Sequence, residues 1–218
     1  AIDLLATTPN PATWTGSINL TGAGTYQAGG ENITITADYI DLASNQFSTT
    51  GRVWLSQGSS NRTLRVDASG TDDNAALSLA VADFGNISAG TLRLGAATGG
   101  NLLIAATLAP ASAGVLELMA GNGGQVTQAA GASAITAPKL ALLGAGGTFT
   151  LNNSGNQIGT LAADTGAISL TNQGVLTIGT VGAVSGVRFS DAASFTTGVA
   201  EGGLGVDIQA TMAYTGGG

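Results

Sequence analysis

The 218-residue chain contains no cysteine and no histidine. Disulfide bonds, metal sites built from these two residue types, and catalytic groups of the Ser-His-Asp or Cys-His kind are therefore excluded. Only six residues are Lys or Arg, and the formal net charge is −7. Nucleic-acid binding needs a basic surface, so we expect no nucleic-acid partner. No apolar run is long enough for a membrane-spanning helix, so we expect none.

Charge and aromatic residues are also scarce, at 9% and 5% of the chain, whereas 44% is hydrophobic and 35 residues are glycine. With so few aromatic residues the interior must be narrow and filled by Val, Ile, Leu and Ala. Sustained helical periodicity with capping residues is lacking, so we predict an all-β fold. The chain carries no cluster of acidic, basic and aromatic residues typical of polysaccharide-active grooves. We therefore expect no enzymatic activity, no metal and no cofactor.

What the chain has instead is a repeat of apolar–polar–apolar triplets between Gly- and Asn-rich turns. The triplets recur about every 24 residues at first and about every 19 residues towards the end. A period of this size is typical of a solenoid, so we predict a parallel β-helix with three short strands per coil and about 19–24 residues per coil. The apolar pairs of this first column are Ile40/Leu42, Leu64/Val66, Leu92/Leu94, Leu116/Leu118, Leu140/Leu142, Phe149/Leu151, Ile168/Leu170, Val187/Phe189 and Val206/Ile208.

Two further columns of apolar residues are predicted between these pairs. Phe149/Leu151 follows Leu140/Leu142 too soon for a full period, so this pair fits either the first or the second column. Residues 1–30 are less regular and are predicted to be an edge or capping segment. Residues 31–218 are predicted to be a single β-helical stalk that is part of a longer protein. The second column is Val53/Leu55, Leu77/Leu79, Leu102/Ile104, Val126 and Leu176/Ile178, and the third is Ile87, Ala111 and Ile135.

The middle residues of the first-column triplets predict a ladder of charges, because strand side chains alternate and these residues point away from the interior. In coil order they include Asp41, Arg65, Arg93 and Glu117. The register then sets Asp41 beside Arg65, Arg65 beside Arg93, and Arg93 beside Glu117. Opposite charges at ladder neighbours stabilise a sheet by roughly 0.2–1 kcal/mol per pair.

The candidate ligand-binding residues are few. Trp54 lies between the inward-facing Val53 and Leu55, so its ring is predicted to face outward, where together with Arg52 it could stack on a sugar or be covered by a loop. Asp72 and Asp73 are the only adjacent acidic pair. This pair has two interpretations: a calcium or catalytic carboxylate site, or a solvated turn in which Asp bonds to its own backbone.

One part of the chain resembles a known family of repeats. The segments that carry the resemblance are Gln125–Ile135, Leu140–Leu142, Thr148–Asn156, Ile158–Leu161 and Gly166–Gly179. In style they resemble the repeats of filamentous-haemagglutinin-like exoproteins of bacterial two-partner secretion, and the likeness extends over about residues 85–210. The resemblance implies a right-handed parallel β-helix, export to the cell surface through an outer-membrane transporter, and an extended adhesin. It brings no catalytic residues.

We therefore expect a structural and interaction protein: the extracellular stalk of a bacterial adhesin or secreted exoprotein, of the two-partner-secretion or autotransporter type. Its expected partners are the transporter during export and a host-cell, glycan or neighbouring-cell surface, with end-to-end self-association as a further expectation. Two alternatives stay open. The chain could be a subunit of an extracellular or surface-layer filament. It could also be a carbohydrate-binding or carbohydrate-active β-helix centred on Trp54, Arg52, Asp72 and Asp73.

Overall fold

A computed structural model describes residues 1–6, 17–20, 23–42, 44–60, 62–71, 73, 75–98, 100–198, 206–208 and 212–214. Within them the protein is all-β, and its one helical segment is the six-residue 3-10 helix Val81–Asn86. The strands are β1 (Ile2–Leu5), β2 (Ser17–Asn19), β3 (Thr25–Gln27), β4 (Ile33–Thr36), β5 (Tyr39–Asp41), β6 (Gln46–Ser56), β7 (Thr63–Asp67), β8 (Ala76–Ala80), β9 (Ile87–Ala96), β10 (Leu102–Ile104), β11 (Ala113–Ala120), β12 (Gln125–Gln128), β13 (Thr136–Leu151), β14 (Gln157–Gln173), β15 (Leu176–Ile178), β16 (Thr180–Val181), β17 (Val184–Ser185), β18 (Val187–Phe189), β19 (Ala193–Gly198), β20 (Val206–Ile208) and β21 (Met212–Tyr214).

Seventeen of these strands form one large curled sheet with parallel pairing. The all-β prediction and the parallel pairing are therefore confirmed. The strands form because apolar and polar residues alternate, so one side of each strand is buried: in β7, Leu64 and Val66 are buried while Arg65 between them is partly exposed. Two small sheets stand apart, a parallel pair of β2 with β5 and an antiparallel hairpin of β16 with β17.

The longest run of paired strands, which we term the first stack, extends through nearly the whole chain. Leu92, Leu116 and Leu140 lie directly over one another, as their even spacing along the chain predicted. Neighbouring strands of a sheet lie about 4.8 Å apart, so nine levels span roughly 40 Å. The stacked positions, level by level, are Ile2, Ile33, Val53, Leu92, Leu116, Leu140, Leu161, Ile178 and Ile208.

The second stack corrects the predicted columns. Leu64 does not join Leu92, because β7 pairs with β8 on one side and with β10 on the other. β8 comes soon after β7 in the chain and pairs with it, which sets Leu77 directly beside Leu64. The long interval between Leu64 and Leu92 therefore contains an additional strand and is not a single repeat. Phe149 pairs with Val126, which confirms the second-column alternative for that pair. The positions of this stack are Leu77, Leu64, Leu102, Val126, Phe149, Ile168 and Ala193.

Other residues also pair outside the columns that were predicted for them. Val53 belongs to the first stack, whereas Ile87 pairs with Phe47, and Ile135 bridges Leu108. Val187 pairs with Ala163 rather than Ile168, and Val206 pairs with Leu176, so the shorter spacing near the end does not mark one column. Ile40 pairs with Ile18 in the separate β2–β5 sheet.

The inward side chains of all stacks meet in a single hydrophobic core built mainly from Ile, Leu, Val and Ala, with few aromatic rings. Near its first levels Tyr26 and Phe47 stack with their ring centroids 5.1 Å apart. Tight corners depend on glycine at particular positions. Gly144 has a φ of +125°, and a Cβ at this position would collide with the carbonyl oxygen of Ala120. Because glycine has no Cβ, the chain can turn here, and β13 continues from the first stack to the second without a loop.

Residues 1–30 contribute strands to the same sheet as the rest of the chain. β1 pairs with β4, and β3 pairs with β6. The segment with Pro9 and Trp14 lies outside the described residues. Among the described residues, no helix is long and apolar enough to cross a membrane.

Candidate functional site

Two residues of the predicted charge ladder, Arg93 and Glu117, form a compact cluster with Arg52 on the outer side of the first stack. Arg93 and Glu117 are directly opposite each other on β9 and β11, and Arg93 Nε donates a 2.6 Å hydrogen bond to Glu117 Oε2. Arg52 Nε, itself shielded from solvent, lies 3.1 Å from the same oxygen without hydrogen-bond geometry. Two guanidinium groups thus share one carboxylate, which leaves the cluster with a net positive charge.

Glu117 is buried although it faces away from the main core. The hairpin β16–β17 folds over this side of the sheet, and Val181 packs with Ala141 and Ala162 in a small second hydrophobic cluster. The hairpin turn lies against the carboxylate, because a Cβ on Gly182 would be 3.6 Å from Glu117 Oε1. The side chain of Glu117 is consequently only 5% exposed. A carboxylate in such a place needs ion partners, and the two arginines supply them.

Trp54 lies beside Arg93 in the same register and is half-buried. Its indole Nε1 donates a 2.7 Å hydrogen bond to the carbonyl oxygen of Gly95. The guanidinium carbon of Arg93 lies 5.2 Å from the ring centroid, a cation–π contact. One face of the ring and its only polar atom are therefore in contact with other groups of the chain.

The remaining ladder positions are separated. Asp41 pairs with Asn19 in the small β2–β5 sheet, whereas Arg65 pairs with Ser78 and Leu103 in the second stack. The expectation that Asp41 lies beside Arg65, and Arg65 beside Arg93, was therefore wrong. The physical reason is the additional strand β8, which moves Leu64 and its neighbours out of the first stack.

Arg65 instead holds the turn between β7 and β8. Its Nε donates to Asp67 Oδ2 at 2.8 Å, and its Nη1 donates to Asp73 Oδ2 at 2.9 Å. Asp67 Oδ1 accepts from the backbone N–H groups of Ser69 and Gly70 at 2.9 and 2.6 Å. Partial burial alone would raise the pKa of Asp67, but these hydrogen bonds and the Arg65 charge hold it below its usual value.

Asp73 is tied down in the same way, and Asp72 lies outside the described residues. Asp73 Oδ1 accepts 2.8 Å hydrogen bonds from the N–H groups of Ala75 and Ala76. The Ala75 N–H, then Arg65, then the Ala76 N–H lower the pKa of Asp73 below its usual value. Both oxygens therefore bind donors from the chain, which is the turn interpretation of this acidic residue. Arg52 and Trp54 lie on β6, whereas Asp73 lies in the turn between β7 and β8.

A second pair of carboxylates lines a cleft of about 260 Å³. Asp41 and Asp83 share it with Ser69 and Gly70. Burial raises the pKa of Asp83 above its usual value and the charge of Asp41 adds to this, while a backbone hydrogen bond with Ala80 opposes it. Within the described residues, no group of three or more acidic, His or Cys residues could hold a metal ion.

A concavity on the outer side of the second stack is lined by no charged side chain. It has a volume of about 500 Å³, and a second hollow of about 230 Å³ shares Thr150 with it. Outward hydroxyl groups follow one another across the strands, from Thr127 to Thr150, Ser169 and Ser194. We call these two hollows the neutral groove. The larger one is lined by Gln128, Ala129, Ala130, Gly131, Thr150, Asn152, Asn153 and Ser154.

Buried polar side chains that hydrogen-bond to neighbouring strands and turns were not predicted from the sequence. Asn156 Oδ1 accepts from the N–H of Ile135 at 2.8 Å, and its Nδ2 donates to the carbonyl oxygens of Leu151 and Thr171 at 2.9 and 3.0 Å. Arg62, only 2% exposed, donates to the carbonyl oxygens of Asp73 and Ala76. An asparagine just before a strand was the available signal for Asn156, but a buried arginine has none.

No protein-family model, curated protein or solved structure matches this chain. A function for this chain is therefore inferred from the geometry of the sheet, the Arg93–Glu117 cluster and the neutral groove.

Proposed function

We propose that the chain is a right-handed parallel β-helix that serves as the extracellular stalk of a bacterial adhesin or secreted exoprotein. The observation that carries this is the first stack, in which paired positions repeat from Ile2 to Ile208 in parallel register. Such a ladder is stiff because every level hydrogen-bonds to the next, and each repeat packs only on its neighbours. The resemblance to two-partner-secretion exoproteins supports the same proposal and adds export through an outer-membrane transporter.

The surface fits a spacer. Few side chains are charged, and Arg52 and Arg93 share the Glu117 carboxylate, which lies against the β16–β17 hairpin. A stalk of this kind holds a binding tip away from the cell and needs no cofactor. A host-cell, glycan or neighbouring-cell surface is then the partner of the tip. A filament built from copies joined end to end is the alternative, because open strand edges at a stack end are templates for further pairing.

A pair of deletions tests the β-helix. The full-coil deletion removes Gly121–Gly144, a segment as long as the interval that separates Met119 from its register partner Leu143. A β-helix closes over this gap, keeps its β spectrum and shortens by one strand spacing of about 4.8 Å in solution scattering. The half-coil deletion removes only residues 121–132, so it shifts the stacks out of phase and unfolds the later levels. Equal damage from both deletions would overturn the proposal.

The stalk role needs a separate test on cells. The full-length exoprotein with the full-coil deletion, which leaves the fold intact, should still reach the surface and still bind through its tip. The half-coil deletion should abolish surface display. Loss of binding with normal display in the full-coil deletion would place the ligand site in this segment and overturn the passive role.

A second candidate function is binding of a neutral glycan in the neutral groove. Hydroxyl and amide groups line the larger hollow without any charge, which suits the hydroxyl groups of an uncharged saccharide. Thr150 lines both hollows, so Thr150→Val removes one hydroxyl at nearly constant volume. A glycan array should show binding by the natural chain and by the control Thr177→Val, and a reduced signal for Thr150→Val. Silence of the natural chain across neutral glycans rules this function out.

A further inference from the structure

Five asparagines of this chain stand two residues before Ser or Thr, which is the acceptor motif for N-linked glycosylation. For two of them, Asn19 and Asn61, nothing is described of the side chain. The other three lie in described segments at different levels of the sheet. The motifs are Asn19-Leu-Thr21, Asn32-Ile-Thr34, Asn61-Arg-Thr63, Asn86-Ile-Ser88 and Asn152-Asn-Ser154.

Strand geometry presents these motifs on the outer surface. Asn32 directly precedes β4, and Asn86 ends the 3-10 helix directly before β9. The residue between acceptor and hydroxyl is buried in both motifs, with Ile33 at 0% and Ile87 at 2% exposure. Because side chains alternate along a strand, the asparagine and the hydroxyl residue then face outward together. Asn152 directly follows β13 and is exposed.

The three side chains share one orientation of the carboxamide. Each oxygen accepts a hydrogen bond: Asn32 from the N–H of Arg52 at 3.0 Å, Asn86 from Gln46 Nε2 at 2.9 Å, and Asn152 from Ser169 Oγ at 2.9 Å. None of the three Nδ2 groups donates to another described residue. The oxygen is thus held by the chain, while the nitrogen to which a sugar would be attached has no hydrogen bond within the described residues. Asn32 and Asn152 are exposed, and Asn86 is partly exposed.

Four asparagines outside the motif use their side-chain nitrogens within the fold. Asn45, Asn156 and Asn172 are buried, and each donates from Nδ2 to backbone carbonyl oxygens. Asn153 donates from Nδ2 to the carbonyl oxygen of Gly131 at 2.8 Å. These nitrogens are committed to the fold, so a sugar on any of them would break a turn.

We propose that Asn32, Asn86 and Asn152 are acceptor sites for N-linked glycosylation by a glycosyltransferase that uses a phosphate-activated sugar. The Asn Nδ2 attacks the anomeric carbon C1 and forms the N–C1 bond, while the C1–O bond to the donor phosphate breaks. The phosphate leaves with the bonding electron pair, and one Nδ2 proton passes to a base of the transferase. No oxidation or reduction takes place. The proposal goes beyond the stalk function and does not depend on it.

Peptide mapping by mass spectrometry of the chain from cells that naturally make it is the direct test. We expect sugar-mass increments on the three acceptor peptides. Asn101 is the matched control, because it is exposed and its oxygen accepts from the Gln125 N–H at 3.0 Å, but Leu103 stands where the motif needs Ser or Thr. An unmodified asparagine removes that site from the proposal. Three unmodified sites, or equal modification of Asn101, overturn it.

Variants at Thr34 separate enzymatic acceptor recognition from simple chemical access. Thr34→Ala should abolish modification of Asn32 and leave Asn86 and Asn152 modified, whereas Thr34→Ser should retain all three. Unchanged modification of Asn32 in Thr34→Ala would overturn motif-directed transfer at that site. Matching circular-dichroism spectra of the two variants establish that the difference is not one of folding.

Discussion

Arg93 and Glu117 lie opposite each other on adjacent strands, and a 2.6 Å hydrogen bond joins Nε to Oε2 beneath a hairpin that shields the carboxylate from water. Replacing Glu117 by Gln removes the negative charge while keeping the volume, and leaves two arginines without their ion partner. We expect Glu117→Gln to lower the free energy of unfolding by about 1–3 kcal/mol in urea denaturation.

The matched control is Arg188→Gln. Arg188 pairs with Asp164 at 3.3 Å across neighbouring strands, but both side chains are more than half exposed. Breaking an exposed pair costs under about 1 kcal/mol. Equal losses from the two variants would mean that burial by the hairpin does not strengthen the Glu117 interaction.

Truncation at Leu94 tests the placement of the first stack. Leu94 is fully buried and stacks between Leu55 and Leu118. We expect Leu94→Ala to cost about 2–5 kcal/mol and Leu94→Asp to unfold several adjacent levels. Leu5→Ala, at a side chain that is 67% exposed, should change stability by less than about 0.5 kcal/mol. An unchanged thermal transition for Leu94→Asp would contradict the assigned core.

Gly144→Ala tests the corner of β13. Both Gly144 and Gly131 have positive φ, so alanine is strained at either position. Gly131 has open space around its missing Cβ, whereas at Gly144 the new atom meets the carbonyl of Ala120. We therefore expect Gly144→Ala to be less stable than Gly131→Ala by about 1–3 kcal/mol, measured by thermal or urea unfolding. Equal stability of the two variants would show that the backbone at Ala120 moves away from the new Cβ without an energetic cost.

The β7–β8 turn is expected to loosen in acid. The pKa values of Asp67 and Asp73 are lowered in the folded protein, so their stabilisation is complete above the unfolded pKa and is lost as the pH falls through the folded values. Hydrogen exchange of the backbone N–H groups at Gly70 and Ala76, corrected for its intrinsic pH dependence, should become less protected below about pH 4. Asp67→Asn should weaken this protection at neutral pH and flatten its pH dependence.

The pKa shift of Asp83 has the opposite sign. Its folded pKa is raised, so the folded state holds the proton more tightly, and stability falls as the pH rises from the unfolded pKa through the folded one. We expect Asp83→Asn to gain stability relative to the natural chain at neutral pH and to lose this advantage in acid. Unfolding curves at pH 7 and at about pH 3 compare the two, and a constant difference would contradict the assignment.

The strand alternation was predictable because it is local. Leu92, Leu116 and Leu140 repeat without insertions, so their stacking follows from spacing alone. Leu64 fits a similar spacing but was wrongly assigned to the first column, because no local feature of the sequence indicates that β8 pairs with β7. The burial of Glu117 could not be foreseen either, because it depends on Val181 and Gly182, which come several strands later in the chain.

For the candidate ligand-binding residues, too, the local features were predictable and the contacts between strands were not. Trp54 faces outward as alternation requires, but its partner Gly95 comes from the next level and occupies the indole N–H. The neutral groove is built from short polar residues of several strands, and no single one of them is distinctive in the sequence. Such a surface can be recognised only when the pairing register of the strands is known.

The position of β8 has a consequence for how the chain is assembled. Chain order puts Leu64 before Leu77, but in space Leu77 is the terminal rung and Leu64 the second, followed by Leu102. A chain that folds progressively from its N-terminal end would add β8 late, on the outer side of a strand already in place. Ordered growth in a single direction would be interrupted there, because this end of the second stack is complete only once Ala80 has joined the sheet.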